Sequence, residues 1–176
     1  MRTILTVLLC AAALFAAGDN SGRRAPGFAL PDAKMQVYDL ADYRGKIVLL
    51  ELMQTTCGHC AAFADVIGRV QQKYGDKVAI LAVVNSRADD QNTVAQYISG
   101  HRVTYPVLFD AGQMAYSYLR SMSFDTPHVF LIDARGTIEN DWGYSLITRD
   151  IFEGNGLMSE IDSLLASQAA PRKTKK

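Results

Sequence analysis

Cysteine is scarce in this chain of 176 residues: it occurs three times, at Cys10, Cys57 and Cys60. A scaffold stapled by several disulfides is therefore excluded. A structural zinc site normally takes four ligands, and no second close cysteine pair exists to complete one with Cys57 and Cys60. Charge of one sign is lacking too, since 18 Lys and Arg meet 18 Asp and Glu. Without a basic stripe there is no electrostatic footprint for nucleic acid. The uncharged run from Ile4 to Ala17 falls short of the roughly 18 to 20 residues that span a bilayer. No internal repeat or second domain is visible.

What is present begins with that run. Met1-Arg2, the apolar stretch, and Ala16-Ala17-Gly18 before Asp19 have the form of a secretory signal over residues 1–18, with cleavage expected near Gly18. A retained anchor is the alternative reading of the same run. Cleavage removes Cys10 and one basic residue, Arg2, so the 18 basic residues become 17 against 18 acidic ones. The mature charge is then about −1 with histidines neutral. What remains suffices for one domain. Residues 167–176, ending Arg172-Lys173-Thr174-Lys175-Lys176, read as a disordered basic tail.

Hydrophobic patterning orders the elements. Phe28-Ala29-Leu30, a Pro31-Asp32 turn and Met35 to Tyr38 predict a β-hairpin. Ile47 to Leu52 is a nearly continuous apolar run, as in a strand buried on both faces. Phe63, Val66, Ile67, Val70 and Tyr74 then recur at helical spacing until Gly75 stops them. Val78 to Val84 predicts a second buried strand, and Val94, Tyr97, Ile98 and His101 a second helix. This βαβα alternation predicts parallel strands with right-handed crossovers. Val107 to Phe109 is a short strand and Gln113 to Arg120 a short helix. Val129–Ile132 and Thr137–Trp142 flank Asp133-Ala134-Arg135-Gly136 as an antiparallel pair. Leu157, Ile161, Leu164 and Leu165 mark a closing helix.

Cys57-Gly58-His59-Cys60 lies between the first buried strand and its helix. Cysteines at i and i+3 at a helix start share one face. The unpaired N–H groups and partial positive charge of that end stabilise a thiolate on Cys57, and His59 adds a second positive influence. A pair this close closes too short a loop to stabilise the fold much, so reversible redox chemistry is the stronger reading. Glu51 stands six residues before Cys57 inside an apolar strand, where an ionised carboxylate is costly unless paired. Its plainer reading is a strand-end residue reaching solvent. Pro127 reads by itself as an edge device before a strand. His101 reads as a helix-end residue, and His128 lies nearer the expected site.

Ala25-Pro26-Gly27-Phe28, Arg44 to Leu50, the cysteine pair, Tyr105-Pro106-Val107-Leu108 and Thr126-Pro127 ahead of Phe130-Leu131-Ile132-Asp133 together resemble the TlpA/ResA-like thiol-disulfide oxidoreductases. These belong to the thioredoxin superfamily and are related to the AhpC/TSA-Redoxin group. The resemblance covers roughly residues 25 to 166. It implies an α/β thioredoxin fold: a central mixed sheet flanked by helices, with an N-terminal β-hairpin extension and a βα insertion. It implies a redox-active Cys57–Cys60 disulfide, and Glu51 as the group that takes and returns the Cys60 proton through water. It also implies a cis Pro127 facing the cysteines, with the Thr126 backbone pairing to a substrate segment. No cofactor or metal is implied. The aromatic residue common before the first cysteine is absent, and Gln54-Thr55-Thr56 stands there instead, a more polar edge for the substrate surface.

The activity implied is reduction of protein disulfides by an exported, periplasmic or otherwise extracytoplasmic monomer, for instance in cytochrome c maturation. A membrane thiol carrier would supply its electrons. Cys-Gly-His-Cys is also the pair of protein disulfide isomerases, and a histidine there favours the opposite, oxidising direction. A peroxiredoxin-like peroxidase shares the fold but places threonine where Gln54 stands. A Cu(I) chaperone would use Cys57, Cys60 and a histidine such as His128.

Overall fold

The computed structural model describes residues 18–85, 87–110, 112–121 and 125–169. The expected signal segment, Gly18 apart, and residues 170–176 of the expected tail lie outside the described residues.

The hairpin forms as β1 (Ala29–Pro31) and β2 (Val37–Asp39), antiparallel to one another. Asp32 shapes its turn by accepting the Lys34 and Gln36 N–H groups at 2.8 and 2.9 Å. A 3-10 turn (Leu40–Tyr43) leads into β3 (Ile47–Met53), every residue of which is buried. Helix α1 (Gly58–Tyr74) follows, and Gly75 ends it at φ +51°, a backbone region that favours glycine. Then come β4 (Val78–Val84), α2 (Gln91–Gly100) and β5 (Val107–Phe109). Residues Ala115–Leu119 make one π-helical turn, and β6 (His128–Ile132) and β7 (Ile138–Gly143) follow. The long connection after β7 contains α3 (Arg149–Glu153), and α4 (Asn155–Ala169) closes the described chain.

The main sheet has the order β5-β4-β3-β6-β7. Strands β3, β4 and β5 run parallel, while β6 and β7 are antiparallel to their neighbours, so the sheet is mixed as expected. Successive parallel strands are added in one direction, and right-handed crossovers therefore put α1 and α2 on the same face. That face also receives α3 and α4, around Leu49, Phe63, Ile67, Val94, Leu131 and Ile161. The hairpin and the π-turn cover the other face, around Phe28, Leu50, Leu81, Tyr118 and Phe130. Strand β3, central and covered on both sides, reads as an unbroken apolar run for this reason. β5 and the π-turn after it add a βα unit at the β4 side.

Each sheet edge is covered in part. Gly22 and Ala25 N–H donate to the carbonyls of Ile138 and Gly136, and Ile138 N–H donates to the Arg23 carbonyl, so the lead-in lies along β7. At the other side, Asp32 of the hairpin bridges to Leu108 of β5.

One boundary differs from expectation. Helix α4 continues to Ala169, so residues 167–169 are helical rather than tail. Ala-Ser-Gln-Ala carries no helix breaker.

Candidate active site

β3 ends at Met53 and the chain turns through Gln54-Thr55-Thr56 before α1 begins. The Gln54 carbonyl accepts the Cys57 N–H at 3.1 Å, which closes the turn. Asp89, in the loop after β4, accepts both the N–H (3.1 Å) and the hydroxyl of Thr55. Asp89 thus pins the polar lead-in to the next crossover. Nothing local in the sequence marks it, because its partner lies on another loop.

Cys57 is the N-cap of α1, and its Sγ accepts the Cys60 N–H at 3.1 Å. A sulfur here meets an unpaired helical N–H, as the i, i+3 spacing requires. Cys57 Sγ also lies 3.6 Å from the Thr126 carbonyl, to which its thiol donates. The Thr126–Pro127 peptide is cis, and the Pro127 carbonyl accepts the Tyr144 N–H at 3.0 Å. Thr126 and Pro127 therefore face the cysteine pair. Cys57 is partly exposed and Cys60 fully buried, both as free thiols, so only Cys57 is open to a partner.

Glu51 is 0 % exposed, which rules out a strand-end residue reaching solvent. Neither of its carboxylate oxygens has a protein hydrogen-bond partner. Burial alone lifts its carboxyl from 4.5 to about 8. The Cys60 thiol is pushed far up, first by burial, then by the charge of Glu51 and the hydrogen bond with Cys57, and the Gln54 backbone pulls it slightly back. Glu51 thus faces Cys60 on the helix side of the sheet. Tyr97 on α2 and Tyr105 before β5 share that layer. The Tyr97 hydroxyl donates to the Cys60 carbonyl at 2.9 Å.

His59 is exposed, and its ring stacks on Tyr144 with centroids 3.8 Å apart and planes at 21°. Tyr144 in turn meets Phe152 edge-on, which meets Phe63 in the core. Beyond this stack, Leu146 and Ile147 are 86 % and 96 % exposed. They follow β7 on the loop that begins at Tyr144.

His128 does not join the cysteines. It pairs in register with Leu52, whereas Glu51 pairs with Val129, so alternation turns His128 to the opposite face. There its Nε2 is 3.0 Å from Asp141 Oδ2 and its ring lies 4.8 Å from that of Phe130. The expectation that His128 lies near the site is corrected accordingly, and the histidine of the Cu(I) reading is removed. Among the described residues, no three His, Cys, Asp or Glu side chains come together as a metal site. His101 is the C-cap of α2, at a helix end as expected.

The AhpC/TSA family pattern matches residues 21–140. A thioredoxin-like protein, YneN, of Bacillus subtilis is 29 % identical over 124 residues, covering 70 % of this chain and 71 % of that protein. The thiol-disulfide oxidoreductase ResA of Geobacillus thermodenitrificans is 30 % identical over 152 residues, covering 79 % and 83 %. Among solved structures, the exposed lipoprotein thioredoxin of Streptococcus pneumoniae superposes with a TM-score of 0.65 at 22 % identity. That superposition covers 79 % of this chain and all of the other, and it shows the thioredoxin-like fold.

Proposed function

Because the chain belongs to the AhpC/TSA family and stands with its ResA-like members, we propose that it is a thiol-disulfide oxidoreductase that reduces protein disulfides outside the cytoplasm. The observation that carries this reading is the asymmetry of the pair. Cys57 is a partly exposed helix cap beside Thr126 and Pro127, and Cys60 is buried against an unpaired carboxyl.

Chemistry follows from the asymmetry. The Cys57 thiolate attacks one sulfur of a partner disulfide, forming a mixed disulfide and releasing the other sulfur as a thiol. Cys60 then gives its proton to Glu51, and its sulfur attacks Cys57. The bond between Cys57 and the partner breaks, the partner sulfur takes up a proton, and two electrons have passed to the partner. Cys57 and Cys60 end as a disulfide, which an external dithiol must reduce before the next cycle. A membrane thiol carrier suits that task if residues 1–18 direct export, and cytochrome c precursors are one fitting class of substrate. No described helix is long and apolar enough to cross a membrane. The domain at 25–166 carries the whole site and acts as a monomer.

Trapping tests the assignment. Cys60→Ser is expected to accumulate mixed disulfides through Cys57, visible on non-reducing gels and absent from Cys57→Ser. Accumulation with Cys57→Ser alone would reverse the roles. Direction is tested by the potential of the couple: a reductant falls near thioredoxin's, about −270 mV, and an oxidant near about −120 mV.

A further inference from the structure

Three buried oxygens lie in one layer without a protein hydrogen-bond partner: Oε1 and Oε2 of Glu51, and the hydroxyl of Tyr105. Sheet geometry explains why they share it. Glu51 pairs with Ala82, and Ala82 with Val107. Tyr105 stands two residues before Val107 and so points to the same face, the one that holds Cys60 and Tyr97. After burial, the largest influence on the Tyr105 hydroxyl is the charge of Glu51.

The two tyrosines of the layer differ. The Tyr97 hydroxyl is committed to the Cys60 carbonyl, whereas the Tyr105 hydroxyl is not committed to any protein acceptor. A buried donor without an acceptor is costly, and so is a buried carboxylate without a donor. Each group supplies what the other lacks once Glu51 is ionised.

We infer that Tyr105 is a positioning residue for proton transfer from Cys60, its hydroxyl donating to the Glu51 carboxylate whenever that carboxylate is charged. The inference rests on Glu51 as the acceptor of the Cys60 proton. A donor to the charged form favours it, so Tyr105 keeps more of Glu51 able to accept at neutral pH than burial would otherwise allow. The ionisable groups bearing on this layer are Cys57, Cys60 and Asp65 from α1, Tyr97 from α2 and Tyr105 itself. β4 and β6 contribute only Ala82 and Val129 beside Glu51.

The test is the pH profile of the Cys60-dependent second step, followed by stopped flow with a fluorescent peptide disulfide, for the full-length protein and for Tyr105→Phe, Tyr97→Phe and Glu51→Gln. Tyr105→Phe keeps the ring and is expected to fold. Its midpoint should move upward by about one pH unit, so that the step is up to roughly tenfold slower at neutral pH and unchanged at the alkaline plateau. Tyr97→Phe should leave the midpoint in place, and Glu51→Gln should abolish the profile. A Tyr105→Phe midpoint equal to that of the parent, with Glu51→Gln still flattening the profile, overturns the role of Tyr105 and leaves Glu51 standing. A profile that survives Glu51→Gln overturns both. A melting temperature raised in Tyr105→Phe with no change in profile would mark the hydroxyl as merely unpaired, which also overturns the inference.

Discussion

Glu51 should make the folded protein less stable as pH rises, and Glu51→Gln should remove that dependence. In the unfolded chain the carboxyl ionises near 4.5, but in the fold burial holds its proton until about 8. A raised carboxyl means that the folded state binds the proton more tightly than the unfolded state does. Its stability contribution is thus complete below 4.5, declines as the unfolded chain ionises, and levels off above about 8. At about 1.4 kcal/mol per pH unit, burial alone gives a full decline on the order of 5 kcal/mol, less about 1.4 kcal/mol where Tyr105 donates to the charged carboxylate, and either figure is a large share of the stability of a domain this size. Glutamine has nearly the same shape and cannot ionise. Chemical denaturation of the reduced proteins across this range gives the two curves, and their difference cancels titrations common to both. Cys60, Tyr97 and Tyr105, the groups most coupled to Glu51, are all raised and titrate above the window. The variant should match the parent in mild acid and exceed it by several kcal/mol near pH 8. A constant difference across the range would refute the claim that burial controls this carboxyl. The parent would be retaining a destabilising group for what it does to Cys60.

Asp90→Ala removes the carboxylate that accepts the Asn92 and Thr93 N–H groups at the start of α2, while the Asp90 N–H can still donate to the Thr93 hydroxyl, and should cost about 1 kcal/mol, read by thermal unfolding. Replacing Leu146 and Ile147 by serine should raise KM for a protein disulfide about tenfold or more while leaving kcat and the reaction with a small disulfide unchanged, since burying such side chains is worth about 1.5–3 kcal/mol each. Equal losses on both substrates would count against a docking role for that loop.

Much of the frame was legible because it depends on short-range pattern. The apolar runs of β3 and β4, the helical period of α1 and the spacing of Cys57 and Cys60 are each local, and each is found where expected. The resemblance supplied what pattern could not, the cis Thr126–Pro127 peptide facing Cys57. His128 was misjudged because nearness in sequence to Pro127 says nothing of face, which register with β3 decides. Asp89 under Thr55 and Tyr144 on His59 were not legible. Each joins segments whose meeting depends on the completed sheet, and a side chain's chemistry in a string carries no sign of the partner it will meet.

The covered sheet edges bear on the company such a protein keeps. A molecule that handles disulfides meets chains that are unfolded or half-folded, with strands in search of an edge to pair with. An open β7 or β5 would offer them a template, and the result would be aggregation instead of turnover. With Gly22 to Ala25 paired at the start of β7 and Asp32 bridging Leu108 of β5, less of either flank is left for such strands to pair with. If clients pair with the Thr126 backbone beside Cys57 as proposed, they are held only as long as one covalent bond to that sulfur lasts.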